Sequence, residues 1–293
     1  MKWIVTEEQE GMSIRDYLRT VQAFSRRLVI SVKDSNGQIR VNGVSQTVRY
    51  SLSAADELEV IFPPENIGLG LEPEDHVLSI VYEDDAVLVL NKPAGMATIP
   101  SFKHPNGTIA NAVLGHYRKY QIPYTVHVVT RLDRDTSGLM LIAKHRYSHS
   151  LLSNDQKAGD VNRKYCAVVE GNFSQLEGTI EANIGRKESS IIERAVMESG
   201  KKAITHYQVE EQSSNYSLVD IKLETGRTHQ IRVHFAHIGH SLAGDDLYGG
   251  STKDIDRQAL HCKELSFFHP FTKKVMHFTS APPLELLDLI KRS

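Results

Sequence analysis

The 293-residue chain is long enough to hold two domains, or one large domain with an added module. Its 40% hydrophobic and 24% charged residues are typical of an ordinary globular protein, and the formal net charge of −2 gives no overall preference for nucleic acid. The two cysteines lie far apart and exclude a disulfide framework. The polar amino terminus and the absence of a long apolar run predict a cytoplasmic protein with no signal peptide and no membrane span.

Residues 1–62 are predicted to form a small αβ unit. Apolar spacings of three and four predict helices, and alternating apolar residues predict strands. The helices are expected over residues 12–18 and 23–32, and the strands over residues 38–44 and 57–62. Ser13 is a suitable cap for the first helix, and Asn42-Gly43 is typical of a tight hairpin turn.

Cations are concentrated in this unit. Between residues 15 and 49 there are seven lysines and arginines, among them Arg26 and Arg27, against two acids. Such an excess can bind phosphates, although a solvated charged face has the same composition. Two basic helices followed by a strand that ends in Val-Asn-Gly resemble the S4-like RNA-binding module of a small-subunit ribosomal protein. The resemblance implies that this unit binds RNA, with Arg26 and Arg27 as contacts.

The rest of the chain is predicted to be a linker, residues 63–76, and a larger domain, residues 77–293. Its strands are expected over residues 78–82, 86–91, 139–143, 163–170, 205–209, 217–223, 265–268 and 275–278. Its helices are expected over residues 108–119, 145–157, 228–239 and 284–291. Because strands outnumber helices and often follow one another directly, an α+β fold with a mixed, largely antiparallel sheet fits better than a doubly wound parallel sheet.

Residues 129–144 place a carboxylate between two arginines in a turn-rich loop before an apolar run. Asp133 lies between Arg131 and Arg134, an arrangement suited to an anionic substrate. Asp135 precedes a Thr-Ser-Gly turn whose backbone amides it can bind, so we expect a structural role for it. Asp133 has no such local task, and we assign the chemistry to it.

Two further segments carry candidate residues. Tyr165 lies on the predicted strand 163–170, where it can stack on a base or exchange a proton, although a half-buried strand tyrosine looks the same in sequence. Thr225-Gly226 ends a strand, and Thr228 is a suitable cap for the next helix. Arg227 therefore lies at a strand-to-helix turn, from which a guanidinium can meet a carboxylate at two points.

Taken together, these segments resemble a known family. Residues 130–139 resemble the catalytic loop of the RluA family of pseudouridine synthases, residues 163–171 its tyrosine motif, and residues 225–234 its arginine motif. Three other segments match in order, 91–95, 200–203 and 244–249, and the resemblance spans about residues 77–280. It implies isomerisation of a uridine within an RNA chain, with no redox cofactor, metal or nucleotide.

The resemblance also implies roles for individual residues. Asp133 would be the nucleophile, by addition to the pyrimidine ring or at the sugar, and Arg227 would hold it. Tyr165 would pack against the flipped base and is a candidate for the later proton abstraction. Arg131 would contact the RNA backbone or fill the vacated space in the helix. Leu260 would form an apolar wall for the uracil.

One residue departs from the family pattern. The loop usually begins with histidine, and this chain has Thr130, which puts in doubt whatever that histidine contributes. Ribosomal RNA is the favoured substrate because the amino-terminal unit suits structured RNA, and transfer RNA is the alternative. We expect a monomer, since no feature of the sequence demands a dimer.

Three other functions are weighed against this one. The first is a catalytically silent RNA-binding or ribosome-assembly factor, which would not need Asp133. The second is a metal-dependent hydrolase, suggested by histidines near the carboxyl terminus. However, no zinc signature occurs in the sequence, and His229 lies off the helix face of His234 and His237. The third, a glycoside hydrolase with paired carboxylates, is disfavoured because Asp133 and Asp135 have different local roles.

Overall fold

The computed structural model describes residues 1–34, 37–65, 67 and 70–291. Within these residues a four-stranded sheet organises the amino-terminal part of the chain and a ten-stranded sheet organises the remainder. Part of the predicted linker lies outside the described residues. No helix in the described ranges is long and apolar enough to cross a bilayer.

The amino-terminal sheet is antiparallel, with the strand order β1-β4-β2-β3. Its strands are β1 (Lys2–Ile4), β2 (Gln38–Val41), β3 (Val44–Ser45) and β4 (Glu57–Ile61). Its helices are α1 (Ile14–Asp16), which continues as a π-helical turn over Tyr17–Val21, and α2 (Arg26–Asp34). Ser13 caps α1, as predicted, by accepting a hydrogen bond from the backbone N–H of Asp16. Asn42 and Gly43 both have positive φ, as a type I′ hairpin requires.

The large sheet has the strand order β10-β13-β14-β9-β15-β8-β6-β5, with β16 paired to β15 and β7 to β8. Its strands are β5 (Ile80–Glu83), β6 (Val87–Lys92), β7 (His127–Val128), β8 (Ser137–Ala143), β9 (Asn162–Glu170), β10 (Glu177–Glu181), β13 (Ile204–Gln212), β14 (Tyr216–Leu223), β15 (Leu260–Phe268) and β16 (Val275–Thr279). A separate hairpin consists of β11 (Ile184–Arg186) and β12 (Arg194–Val196). Only β8 and β15 pair in parallel among the described strands, which confirms the predicted α+β class.

Helices cover both faces of this sheet. They are α3 (Ile109–Lys119), α4 (Arg146–Ala158), α5 (Gln230–His237) and α6 (Leu284–Lys291). Strand β9 shows how the faces are divided: Tyr165 and Ala167 belong to the main core with residues of α3, α4 and α5, whereas Val168 packs with α6. The alternation of side chains along β9 therefore directs Tyr165 towards the face that α5 covers.

The hydrophobic core of the amino-terminal unit includes residues from the larger domain. Tyr147 and Leu151 of α4 lie in the core of that unit. The Tyr147 hydroxyl donates to the carbonyl of Gln22 over 2.9 Å, and its ring centroid lies 4.4 Å from that of Phe24. Glu65, in the predicted linker, accepts from the backbone N–H of Arg146. The small αβ unit predicted over residues 1–62 therefore shares its core with the larger domain.

Candidate active site

The candidate active site is a cleft of about 640 Å³ between the loop over residues 130–137, strand β9 and the turn that leads into α5. Six arginines and a single carboxylate, that of Asp133, lie among the residues that line it. The arginines are Arg131, Arg134, Arg163, Arg194, Arg227 and Arg232. Such a surface attracts a polyanion and leaves one acidic group facing it.

The backbone of the 130–137 loop is fixed by side chains from three other parts of the chain. Thr98 donates to the carbonyl of Leu132 over 2.7 Å. Lys92 donates to the carbonyl of Arg134 over 2.8 Å, and Arg257 donates to the carbonyl of Asp135 over 3.0 Å. The loop therefore holds Asp133 in place without help from a substrate.

Lys92 is the most deeply buried of these anchors, with 1% of its surface exposed. Its ammonium group also donates to the carbonyls of Pro93 and Met96, each over 2.8 Å. Burial lowers the pKa of Lys92 to about 7, although the carboxylates of Asp135 and Asp133 act in the opposite direction. The Lys-Pro-Ala-Gly turn after β6 is thus tied to the loop that carries Asp133.

Thr130, where the family usually has histidine, anchors the start of the loop. Its side chain is fully buried, and its hydroxyl accepts a hydrogen bond from the backbone N–H of Leu141 over 2.8 Å. Its own backbone N–H donates to the carbonyl of Leu141 over 3.1 Å. Thr130 therefore fastens the loop to β8 and does not reach the cleft.

Asp133 is paired with Arg232 of helix α5. Nη1 of Arg232 donates to Oδ2 of Asp133 over 3.1 Å. The other two nitrogens of Arg232 donate to the two carboxylate oxygens of Asp245, each over 2.7 Å. Burial opposes the charge of Arg232, but Asp245 and then Asp133 outweigh it and raise the pKa of the guanidinium. One permanently charged arginine therefore links the two acids.

The sequence predicted that Arg227 contacts Asp133. In the structure Arg232 makes this contact. Arg227 lines the cleft, but its Nε donates to the carbonyl of Lys202 over 3.0 Å. The predicted cap is also wrong, since the N-cap of α5 is His229 and not Thr228. The helix therefore begins later than predicted, and Arg227 lies in the turn before it.

The prediction for Asp135 is also wrong in detail. Its carboxylate accepts from Nε of the neighbouring Arg134 over 2.9 Å, while the backbone N–H of Thr136 donates to the carbonyl of Asp133. Asp135 is therefore an ion-pair partner on the outside of the loop and not the acceptor of the turn's amides.

Tyr165 and Leu260 form part of the apolar lining of the cleft. Both are about 4% exposed, and both line the cleft. The Tyr165 phenol lies beside the thiol of Cys262, and burial, the largest cause, raises the pKa of the phenol. At neutral pH this phenol therefore keeps its proton.

The predicted RNA contacts occupy two separate places. Arg131 is exposed and lines the cleft next to Asp133. Arg26 and Arg27 are exposed at the start of α2, outside the residues that line the cleft. The structure thus brings together Asp133, Tyr165, Leu260 and Arg131, along with Arg227 at the rim, and leaves the two α2 arginines apart.

The sequence reasoning missed a second group of residues around Arg232. The phenol ring of Tyr248 lies under the Arg232 guanidinium at 4.9 Å, and the Tyr248 hydroxyl contacts Nδ1 of His229 over 2.7 Å. His229 and Arg232 are three residues apart at the start of α5, and this spacing could have shown that they share a face. No group of three or more potential metal ligands occurs in the described parts of the chain.

Comparisons with known proteins bear on this site. A family described as RNA pseudouridylate synthase matches residues 86–237. The RNA pseudouridine synthase YjbO of Bacillus subtilis is 48% identical over 280 residues, which cover 96% of this chain and 99% of that protein. The ribosomal large subunit pseudouridine synthase D of Pseudomonas aeruginosa is 38% identical over 278 residues, which cover 90% of this chain and 86% of that protein.

A solved structure agrees with these relatives. Human RNA pseudouridylate synthase domain containing 1 superposes with a TM-score of 0.60 at 26% identity, over 72% of this chain and 86% of that one. The chain belongs to the RNA pseudouridylate synthase family, which confirms the resemblance to the RluA family. It is an isomerase that forms pseudouridine in RNA.

Proposed function

We propose that this protein isomerises specific uridines of ribosomal RNA to pseudouridine, with Asp133 as the nucleophile and without a cofactor. The observation that carries the proposal is the pairing of Asp133 with Arg232 in a cleft that six arginines line. The relatives named ribosomal large subunit pseudouridine synthase D support ribosomal RNA as the substrate.

The reaction begins when the target nucleotide leaves its helix and enters the cleft. Removing a base from the stack costs roughly a few kcal/mol of free energy. Contacts in the cleft must offset this cost. Leu260 and the ring of Tyr165 provide an apolar wall for the uracil. Arg131, exposed beside the nucleophile, contacts the RNA backbone or fills the space that the base leaves.

Asp133 then attacks either the uracil ring or the anomeric carbon of the ribose. In both routes the N1–C1′ bond breaks, the uracil turns while it is held, and C5 bonds to C1′ as the carboxylate is released. C5 loses its proton and N1 gains one, so that the product is an isomer of the substrate. Arg232 fixes the direction of the attacking oxygen, which is the kind of positioning that makes such a step fast.

In this proposal the ring of Tyr165 packs against the uracil, and its hydroxyl remains protonated. The sequence suggested it as a candidate for proton removal from C5. Burial raises the pKa of its phenol, so the hydroxyl is protonated at neutral pH and is a poor base. We therefore assign proton removal to another acceptor.

The amino-terminal unit is proposed to be the S4-like RNA-binding module. Arg26 and Arg27 are exposed side by side at the start of α2 and are available to phosphates. Because this unit shares its core with α4, it would hold the RNA at a fixed position relative to the cleft.

The substitution Asp133→Asn tests the proposal. It keeps the size of the side chain and removes the nucleophile, so we expect no tritium release from RNA that contains 5-tritiated uridine, with RNA affinity retained. Asp135→Asn is the matched control, since it changes the same residue type in the same loop. Full activity of Asp133→Asn would refute the assignment of the nucleophile.

The substrate is identified in cells. Pseudouridine is mapped at single-residue resolution in all RNA of a strain that lacks this gene and of its parent. We expect one or more ribosomal RNA positions to lose the modification, and plasmid-borne Asp133→Asn to leave them unmodified. Loss confined to transfer RNA would overturn the ribosomal assignment and leave the enzymatic one standing.

A further inference from the structure

His229 has an unusual backbone conformation at the start of α5. It is the N-cap of α5, with φ 58° and ψ 20°, in the left-handed region. Residues other than glycine in this region are uncommon, and they concentrate at functional sites where the surroundings enforce them. His229 lines the cleft, with its imidazole beside Asp133.

The hydroxyl of Tyr248 faces one ring nitrogen of His229, Nδ1. The Tyr248 hydroxyl oxygen accepts from the backbone N–H of Arg194 over 2.9 Å. The same hydroxyl lies 2.7 Å from Nδ1 of His229. The phenol keeps its own O–H to donate, and Nδ1 is the acceptor within reach. When the phenol donates to Nδ1, the proton of the neutral imidazole lies on Nε2.

The Nε2–H group of His229 is an unused donor next to the nucleophile. It lies 3.7 Å from Oδ2 of Asp133, which is too far for a hydrogen bond. Within the described part of the chain, no acceptor is hydrogen-bonded to it. The Asp133 oxygen nearest to it is already bound by Arg232. An acceptor that arrives with the substrate would find this donor free.

We propose that His229 donates its Nε2–H to a carbonyl oxygen of the target uracil and stabilises the negative charge of the detached ring. The inference rests on the proposed role of Asp133, because it places the uracil beside that carboxylate. When the N1–C1′ bond breaks, its electron pair stays with the uracil and spreads to the ring carbonyl oxygens. A hydrogen bond to one of them stabilises the anion, and no proton is transferred.

The surroundings keep the imidazole in the form that this role needs. Burial is the main cause that lowers the pKa of His229. The carboxylate of Asp133 raises this pKa, and the positive charges of Arg232 and Arg194 lower it further. The neutral ring keeps one nitrogen as a donor and one as the acceptor that Tyr248 holds.

The tautomer is tested in the free protein by nitrogen NMR of ¹⁵N-histidine-labelled enzyme. The His229 signals are assigned by their loss in His229→Asn, a substitution that tolerates the left-handed backbone. At pH 7 we expect the neutral Nε2–H tautomer in the wild type and a mixture of tautomers in Tyr248→Phe. An Nδ1–H tautomer or an imidazolium in the wild type would overturn the proposal.

Kinetics test the contact itself. His229→Asn should lower kcat by about 100-fold, as the loss of one such donor does, with little change in RNA affinity. His229→Gln, whose amide nitrogen reaches further, should recover part of the loss. His237→Asn is the matched control, because His237 is exposed at the other end of α5. A role in folding alone would lower the melting temperature and leave kcat unchanged.

The uracil oxygen is identified with RNA that carries 2-thiouridine or 4-thiouridine at the mapped target. A thiocarbonyl accepts hydrogen bonds poorly, so one of these RNAs should react more slowly with the wild type and show no further loss with His229→Asn. Independent effects at both positions would refute the contact. If the wild type is active and Asp133→Asn is not in the same assay, such a failure counts against His229 alone.

Discussion

Arg232 and Asp245 form a two-point ion pair behind the cleft, with both nitrogen-to-oxygen distances at 2.7 Å. Their side chains are 7% and 0% exposed. This pairing uses two of the three nitrogens of Arg232 and leaves Nη1 for Asp133. The direction of the proposed nucleophile thus depends on Asp245, which does not line the cleft.

Asp245→Asn should lower both stability and turnover. The change leaves the buried Arg232 without its closest opposite charge, and breaking a buried pair costs about 3–5 kcal/mol. We expect a loss of this size in the free energy of unfolding, measured with urea, and a lower kcat because Arg232 no longer has a fixed position. Asp246→Asn, at the exposed neighbouring residue, is the control. A stable Asp245→Asn enzyme with normal kcat would contradict this view of the pair.

Lys92→Met should change how stability depends on pH. The pKa of Lys92 is about 7 in the folded protein and has an ordinary value of 10.5 in the unfolded chain. Between these values the unfolded chain binds the additional proton, so the free energy of unfolding gains a contribution that rises with pH, by up to about 1.4 kcal/mol per pH unit. Lys92→Met lacks this contribution.

The measurement for Lys92 is urea unfolding of both proteins between pH 7 and pH 9. The difference in unfolding free energy, wild type minus variant, should increase across this range. At pH 7 the variant should already be less stable, because three backbone carbonyls lose their donor. Parallel pH curves for the two proteins would show that Lys92 does not titrate in this window.

Thr130→Val tests the anchor at the start of the loop. Valine has nearly the same shape but leaves the buried N–H of Leu141 without its acceptor, which costs about 1–3 kcal/mol. We expect a lower melting temperature and a reduced kcat, since Asp133 follows three residues later. Thr130→Ser retains the hydroxyl and should behave as the wild type does. Equal stability of Thr130→Val and Thr130→Ser would count against the anchor.

The double substitution of Arg26 and Arg27 by glutamine should weaken RNA binding without slowing the chemistry. The plot of log affinity against log salt has a negative slope, and each lost phosphate contact makes this slope less steep by about 0.7–0.9. Binding of the mapped RNA is measured from low to high salt, together with kcat at saturating RNA. Arg118→Gln, at an exposed arginine of α3, is the control. An unchanged slope would show that α2 does not contact RNA.

The sequence predicts much of the fold because the long elements have clear periodicity. Strands such as β6 and β9 and helices such as α3 have apolar patterns that span the whole element. The strands that were not predicted are short or charged: β1, β7, β10 and the β11–β12 hairpin. They are stabilised by their pairing partners and not by a pattern of their own.

The structure places Asp133 in the cleft and pairs it with Arg232, whereas the sequence predicted Arg227. A turn residue such as Arg227 looks available in sequence, whereas an arginine inside a helix resembles a solvent-facing position. In the structure Arg232, and not Arg227, contacts Asp133, for two reasons that the sequence does not show. Helix α5 begins after the left-handed His229, and Asp245 compensates the charge of the buried Arg232. Contacts that span 13 and 99 residues cannot be derived from local spacing.

Because Tyr147 and Leu151 of α4 complete the core of the amino-terminal unit, that unit cannot swing freely on a tether. Helix α2 and the cleft are therefore held at a fixed separation and orientation. A uridine that enters the cleft while another part of its RNA rests on α2 must lie at one fixed distance and angle from that second contact. The enzyme would then choose among uridines by the three-dimensional shape of the folded RNA, and identical local sequences in other shapes would be passed over.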